Sequence, residues 1–172
     1  MAEKYKDSDI TIREAQPEDM EAVAEMIQEL ADFEKMPDGP KLSVKDLQRD
    51  GFGSKSPAFQ CLVAEVTNAH KPVVGYALYF PTYSTWQGRA MMLEDLYVRS
   101  SERKRGVGKK LFNAVAKQAS SSGCSRLEFH VLEWNDARSF YERKGAVNLT
   151  NTEQWCYYRL AGDALHQAAN EA

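Results

Sequence analysis

Arg103-Lys104-Arg105-Gly106-Val107-Gly108-Lys109-Lys110 joins two stretches of different periodicity. The run before it, Met91 to Val98, reads as a strand. The run after it, Leu111 to Ser122, places Leu111, Phe112, Val115, Ala116 and Ala119 on one helical face, with Gly123 as its stop. A strand, a short basic turn with two glycines and a helix start make a site for phosphate. Glycine lets backbone N–H groups come close to an anion, and the helix start adds unpaired donors and the positive end of a dipole. The turn carries five Lys or Arg side chains in eight residues.

Spacing narrows the phosphate ligand. A P-loop needs Gly, four residues, then Gly-Lys-Ser/Thr; position 103 is Arg and Gly108-Lys109 is followed by Lys110. A dinucleotide fingerprint needs a third glycine where Leu111 stands, inside an N-terminal βαβ unit that the chain lacks. A patch for a polyanion or for nuclear localisation stays open on the residues alone.

Working outward, Ile10 to Arg13 reads as a first strand. Pro17 opens a helix with Met20, Val23, Ile27, Leu30 and Ala31 on its inner face. Ser43-Val44-Lys45-Asp46 has the form of a capping box for a second helix, with Gly51 as its stop. Cys61–Val66 and Val73–Phe80 read as a hairpin around a polar turn at 67–71, followed by a loop from Pro81 to Gly88. Arg126–Leu132 is a further strand and Asp136–Lys144 a short helix closed by Gly145. Gln154–Leu160 is a last strand and 162–170 a terminal helix. This order predicts an α/β (α+β) fold with one mixed central sheet flanked by helices. The expected organisation is a flexible stretch at 1–9, one domain at 10–162 and a tail at 163–172, without repeats or linkers.

The chain has 172 residues, of which 43% are hydrophobic and 27% charged, enough for one ordinary core. A net charge of −3 gives no global attraction to nucleic acid, so the basic turn is a local patch. No segment has the length and apolarity of a membrane span. Cys61, Cys124 and Cys156 are odd in number and match no metal spacing, which predicts buried free thiols in a reducing, cytoplasmic setting and no metal.

Arg103-x-x-Gly106-x-Gly108 between a strand and a helix resembles the acetyl-CoA pyrophosphate loop of the GCN5-related N-acetyltransferase superfamily. The chain is more narrowly similar to its diamine acetyltransferase group, nearest the thialysine-acetylating type. The similarity rests on Leu30–Lys35, Asp50–Gly53, Cys61–Glu65, Tyr83–Trp86, Leu93–Val98, Glu133–Asn135, Phe140-Tyr141, Lys144–Ala146 and Trp155.

Acyl transfer needs an amine that has lost a proton, a stabilised oxyanion and a proton for the departing thiolate. On its residues alone Tyr141 is a tyrosine packing from a short helix. The resemblance makes it the acid that protonates sulfur. Alternation sets Glu94 on the face of Met92, Leu96 and Val98, and the resemblance implies that it binds and deprotonates the amine. By resemblance the backbone of Leu96, Tyr97 and Val98 receives the pantetheine arm, and Lys104, Arg105, Gly106, Val107, Gly108 and Lys109 hold the pyrophosphate. Asn135, Asp136 and Ala137 complete the contacts to acetyl-CoA. Phe33, Glu34, Glu94, Glu128, Phe129, His130 and Glu153 line the amine site. The polyamine type carries an Asp where this chain has Ser84, which implies a small lysine-like amine ahead of spermine, fewer carboxylates holding a long polycation less tightly. The resemblance also implies a homodimer. A protein or peptide acetyltransferase and a non-catalytic acyl-CoA-binding module are the alternatives.

Overall fold

The computed structural model describes residues 9–67 and 72–171, which leaves residues 1–8, 68–71 (His70 and Lys71 among them) and 172 outside the described residues. Two compact units divide the chain, one ending at His130 and the other beginning at Val131.

The first unit is a five-stranded sheet in the order β1-β2-β3-β4-β5, formed by Ile10–Glu14, Gln60–Val66, Val73–Ser84, Gly88–Val98 and Leu127–Phe129. The first four strands pair antiparallel and β5 joins β4 in parallel, so the sheet is mixed. Between β1 and β2 lie α1, Met20–Phe33, and α2, Val44–Phe52. Between β4 and β5 lies α3, Val107–Ser121.

Two side-chain sets cover the two sheet faces. Met20, Val23 and Met26 of α1 and Leu47 of α2 pack with Cys61, Val63, Tyr76, Leu78 and Tyr97 from the strands. Ile27 and Leu30 are partly buried against that cluster. On the opposite face Val107, Leu111, Phe112, Val115 and Ala119 of α3 are buried. The α3 face meets the sheet at Gly75, where an added Cβ would stand 2.8 Å from the Tyr97 carbonyl oxygen and 3.1 Å from Leu111 Cδ1.

The capping box is present: Asp46 N donates to Ser43 Oγ at 3.2 Å, and Ser43 N donates to Asp46 Oδ2 at 2.9 Å. Gly51 does not stop α2, which runs on to Phe52. Its role is packing, since a Cβ there would lie 2.7 Å from the Phe59 ring. Gly123, at φ 72°, does follow the end of α3, a position open to glycine at little cost.

The predicted loop from Pro81 to Gly88 is mostly strand, because β3 continues through Pro81 to Ser84. Pairing with β2 ends at Tyr79, so Pro81 sits where β3 has β4 on one side only. An edge position tolerates the missing N–H. Ser84 Oγ accepts from Trp86 N and Gln87 N, both at 3.2 Å, and so closes the hairpin turn.

The second unit holds α4, Ala137–Glu142, α5, Leu149–Glu153, and α6, Gly162–Asn170. The predicted strand at 154–160 is not formed, and Trp155, Tyr157, Tyr158 and Leu160 are exposed. Its β-forming residues have no ladder partner among the described residues, and Gln154 enters the stretch left-handed at φ 58°. The strand predicted over 126–132 shrinks to Leu127–Phe129, which leaves His130 exposed just beyond its end. Of the three cysteines only Cys61 is buried, and burial pushes its thiol up to about 12; Cys156 is exposed. Among the described residues no helix is long and apolar enough to cross a membrane.

Candidate active site

The basic turn lies between β4 and α3. Gly106 is the residue before the first turn of α3 and is left-handed at φ 99°, a conformation that L side chains avoid. Lys110 N donates to Gly106 O at 3.1 Å, which starts the helical ladder. The N–H groups of Val107, Gly108 and Lys109 precede that first bond and have no intrahelical acceptor. Lys104 is also left-handed at φ 63°, although it carries a Cβ. Backbone donors, a helix start and flanking cations converge here, the chemistry that a pyrophosphate needs.

A β-bulge shapes the strand ahead of the turn. Leu78 pairs with Asp95 and Tyr79 with Leu93, so Glu94 has no partner on β3. Alternation therefore fails across Glu94. Met92 lies opposite Phe80 and Asp95 opposite Leu78, and Phe80 and Leu78 share a face. Met92 thus shares its face with Asp95, and Leu96 lies on the other. The single face predicted for Met92, Glu94, Leu96 and Val98 does not exist, and Glu94 is exposed.

It is Asp95 that turns toward α1. Tyr76 Oη donates to Asp95 Oδ2 at 2.9 Å. Burial raises the Asp95 carboxyl above its ordinary range, the Glu94 charge adds to this, and the Tyr76 bond opposes it. Glu34, just past the end of α1, is raised as well, by burial first and then by the Asp95 charge. Neither carboxylate has a Lys or Arg partner among the described residues.

Phe33 and Tyr97 come together through Arg103, whose guanidinium lies 5.0 Å from the Phe33 ring centre and 5.1 Å from that of Tyr97. A cavity of about 550 Å³ opens beside them, with Glu29, Asp32, Arg99 and Ser100–Arg103 also in its wall. Glu128 pairs with Arg126 at 3.2 Å. The Phe129 ring stands edge-on to Phe112 of α3 at 5.8 Å, so it packs against the helix.

In the second unit Asn135 Oδ1 accepts from Ala137 N at 2.9 Å and starts α4. Asn135 and Asp136 border a cavity of about 280 Å³ with Trp134 and Arg138. Tyr141 lies in α4 beside Phe140, ring centres 5.1 Å apart. Burial pushes its phenol up to about 12. Glu153 ends α5 and accepts from Trp155 Nε1 at 2.6 Å.

Asp95 and Arg99 are not among the site residues expected from sequence. A signal for Arg99 was present, since it stands two residues after Tyr97 and so on the same face, opposite the Glu25–Glu29 pair at helical spacing.

The Acetyltransferase (GNAT) family matches residues 23–146. The Bos taurus thialysine N-epsilon-acetyltransferase is 42% identical over 94% of this chain and 98% of its own length. The human spermidine/spermine N(1)-acetyltransferase-like protein 1 is 36% identical over 93% of this chain and 24% of its own length. An integron cassette protein from the mobile metagenome of V. cholerae superposes with a TM-score of 0.73 at 25% identity, covering 95% of this chain and 99% of its own. With this family match and a relative so similar along nearly the whole length, the chain belongs to the GNAT family and is an acetyl-transferring enzyme.

Proposed function

We propose that this protein acetylates a primary amine of a small, lysine-like molecule from acetyl-CoA, with thialysine the first compound to test. The carrying observation is the turn at 103–108, where left-handed Gly106 opens the start of α3 to an anion. The match to thialysine enzymes along the chain supports the amine class.

Lys104 to Lys109 would hold the pyrophosphate, chiefly by backbone N–H, and the strand backbone of Leu96–Val98 the pantetheine arm. Asn135, Asp136 and Ala137 complete that set. Bound acetyl-CoA supplies a thioester as acyl donor. Phe33 and Glu34 orient the amine, with Glu128, Phe129, His130 and Glu153 as further contacts. Glu94, left free by the bulge, takes a proton from the ammonium. The neutral amine forms the C–N bond as the C–S bond breaks, Tyr141 donates its phenolic proton to the sulfur, and the proton that the acylated nitrogen then sheds restores the phenol. A phenol raised to about 12 stays protonated at neutral pH and is available as that donor. The reading includes a cytoplasmic homodimer.

Ser84 spends its hydroxyl on the hairpin turn and brings no charge to the loop. That supports a shorter amine over spermine. Steady-state assays with thialysine, spermidine and spermine, reading CoA by its free thiol, test this. Thialysine is expected to give the highest kcat/KM. Spermine leading by tenfold would overturn the substrate assignment, and acetylation of histones or ribosomal proteins alone would favour a protein substrate.

A further inference from the structure

Lys104 raises a physical question. A non-glycine residue at φ 63° is strained, and such a conformation persists only where its surroundings fix it. The surroundings at the entry to the turn are unusual. Arg99, the first residue after β4, has a side chain only 9% exposed, yet it is fully charged. It is tied at four points. Its backbone N donates to Val74 O at 2.9 Å and its Nε to Val73 O at 3.3 Å, both on β3. Its Nη2 donates to Glu25 Oε2 at 2.9 Å and its Nη1 to Glu29 Oε1, both on α1. Glu29 also accepts from the Tyr97 phenol at 3.1 Å.

The turn then folds back on this anchor. Arg103 Nε donates to Val98 O at 2.9 Å, and its guanidinium lies over the Tyr97 and Phe33 rings. Arg103 thus points toward α1 and holds the chain from inside, immediately before the strained Lys104. One network, from Glu25, Glu29 and Phe33 through Arg99 and Tyr97 to Arg103, connects α1 with the anion turn.

We propose that Arg99 is a positioning residue that holds the 103–108 turn in its phosphate-ready shape, acting through Glu29, Tyr97 and Arg103 without touching the cofactor. The proposal rests on the acetyl-CoA reading above. An anion loop held in its binding shape before the ligand arrives gains affinity because less ordering is left to the binding step. Without the clamp, Lys104 relaxes out of its left-handed conformation and the turn must be re-formed around each ligand.

The test measures coenzyme A itself by titration calorimetry on the full chain, with circular dichroism to confirm folding. Arg99→Met keeps the volume and removes the fork. It is expected to raise the CoA Kd about tenfold, with the acetyl-CoA KM rising in parallel and kcat within twofold of the parent. In the Arg99→Met background, Lys104→Gly is expected to recover at least threefold of the lost affinity, because glycine needs no clamp to be left-handed. A side chain that merely stabilises the fold gives no such recovery. If Arg99→Met fails to fold, Glu29→Gln, at a half-exposed position, is expected to weaken CoA binding three- to tenfold. CoA binding within twofold of the parent in a folded Arg99→Met or Glu29→Gln variant overturns the proposal, as does the absence of recovery with Lys104→Gly. A parent protein that does not bind CoA overturns the acetyl-CoA reading instead.

Discussion

Tyr141 and Asp95 are both partly buried acids, and that burial leads to opposite expectations. A phenol raised to about 12 stays neutral, so folding leaves it with the proton it has in water. Tyr141→Phe removes only the hydroxyl, and kcat is expected to fall at least a hundredfold, the usual weight of a general acid, while CoA binding stays within twofold. In the parent, no alkaline loss of kcat from this phenol is expected below about pH 10. An unchanged kcat in Tyr141→Phe removes the residue from its role. Burial disfavours the charged form of the Asp95 carboxyl and raises it above its ordinary range. Its folded pKa lies above the unfolded one, so the folded state binds the proton more tightly. The resulting penalty is present at neutral pH, shrinks as pH falls through the raised folded value, and is gone below the ordinary carboxylate value of about 3.9. Asp95→Asn keeps an acceptor for Tyr76 and removes the charge. It is expected to stabilise the protein at pH 7 by on the order of 1 kcal/mol, about 2–4 °C in Tm, and to lose that gain near pH 4. Thermal denaturation at the two pH values checks both the sign and the window.

At the scale of elements, what the sequence made legible follows from how local each signal is. The turn at 103–110, the α1 stripe and the Ser43–Asp46 box are set by residues within a few positions, and all three form. The bulge at Glu94 depends on how β3 and β4 register, which no short window contains, so the alternation rule put Glu94 on a face that the strand does not have. Pro81 and Gly51 misled for the same reason. Each is a breaker by local rule, yet Pro81 is tolerated on a half-paired stretch and Gly51 is required by the Phe59 ring. Arg99 carries a local signal, but its pairing with Glu25 depends on how α1 lies across the sheet. Gly75 tests this layer. It is the point where α3 crosses the sheet beside the strand expected to carry the pantetheine arm. An alanine Cβ would meet the Tyr97 carbonyl at 2.8 Å and two α3-face side-chain carbons, Leu111 Cδ1 at 3.1 Å and Val98 Cγ2 at 3.2 Å. Backbone cannot yield as a flexible side chain does, so Gly75→Ala is expected to destabilise by about 1–3 kcal/mol, the cost of overpacking. Urea denaturation reads this directly, and a neutral result would mean that α3 slides on the sheet at little cost.

For the whole molecule, the first unit was legible because its hairpins and helices follow one another with short connections. The residues at 154–160 have strand composition but form no ladder, since composition supplies a propensity and a ladder needs a neighbour. The protein's net charge of −3 beside a five-cation turn makes ligand binding a local event on a mildly acidic body. Its thermal stability should therefore report the cofactor specifically. A ligand that binds only the folded chain, at a hundred times its Kd, adds about 2.7 kcal/mol, which corresponds to about 5–10 °C for a chain of this size. Acetyl-CoA at that excess is expected to produce such a shift, and inorganic phosphate at the same concentration is expected to produce less than 1 °C, because the turn is then only partly engaged and the strand contacts are absent. Tyr141→Phe should keep the full shift, since its hydroxyl acts on the departing sulfur and not on the bound CoA. Arg99→Met, at the same acetyl-CoA concentration, should show about half of it, as a tenfold weaker Kd subtracts about 1.4 kcal/mol. Equal shifts in parent and Arg99→Met would separate the clamp from the cofactor, and no shift in the parent would remove acetyl-CoA from the reading.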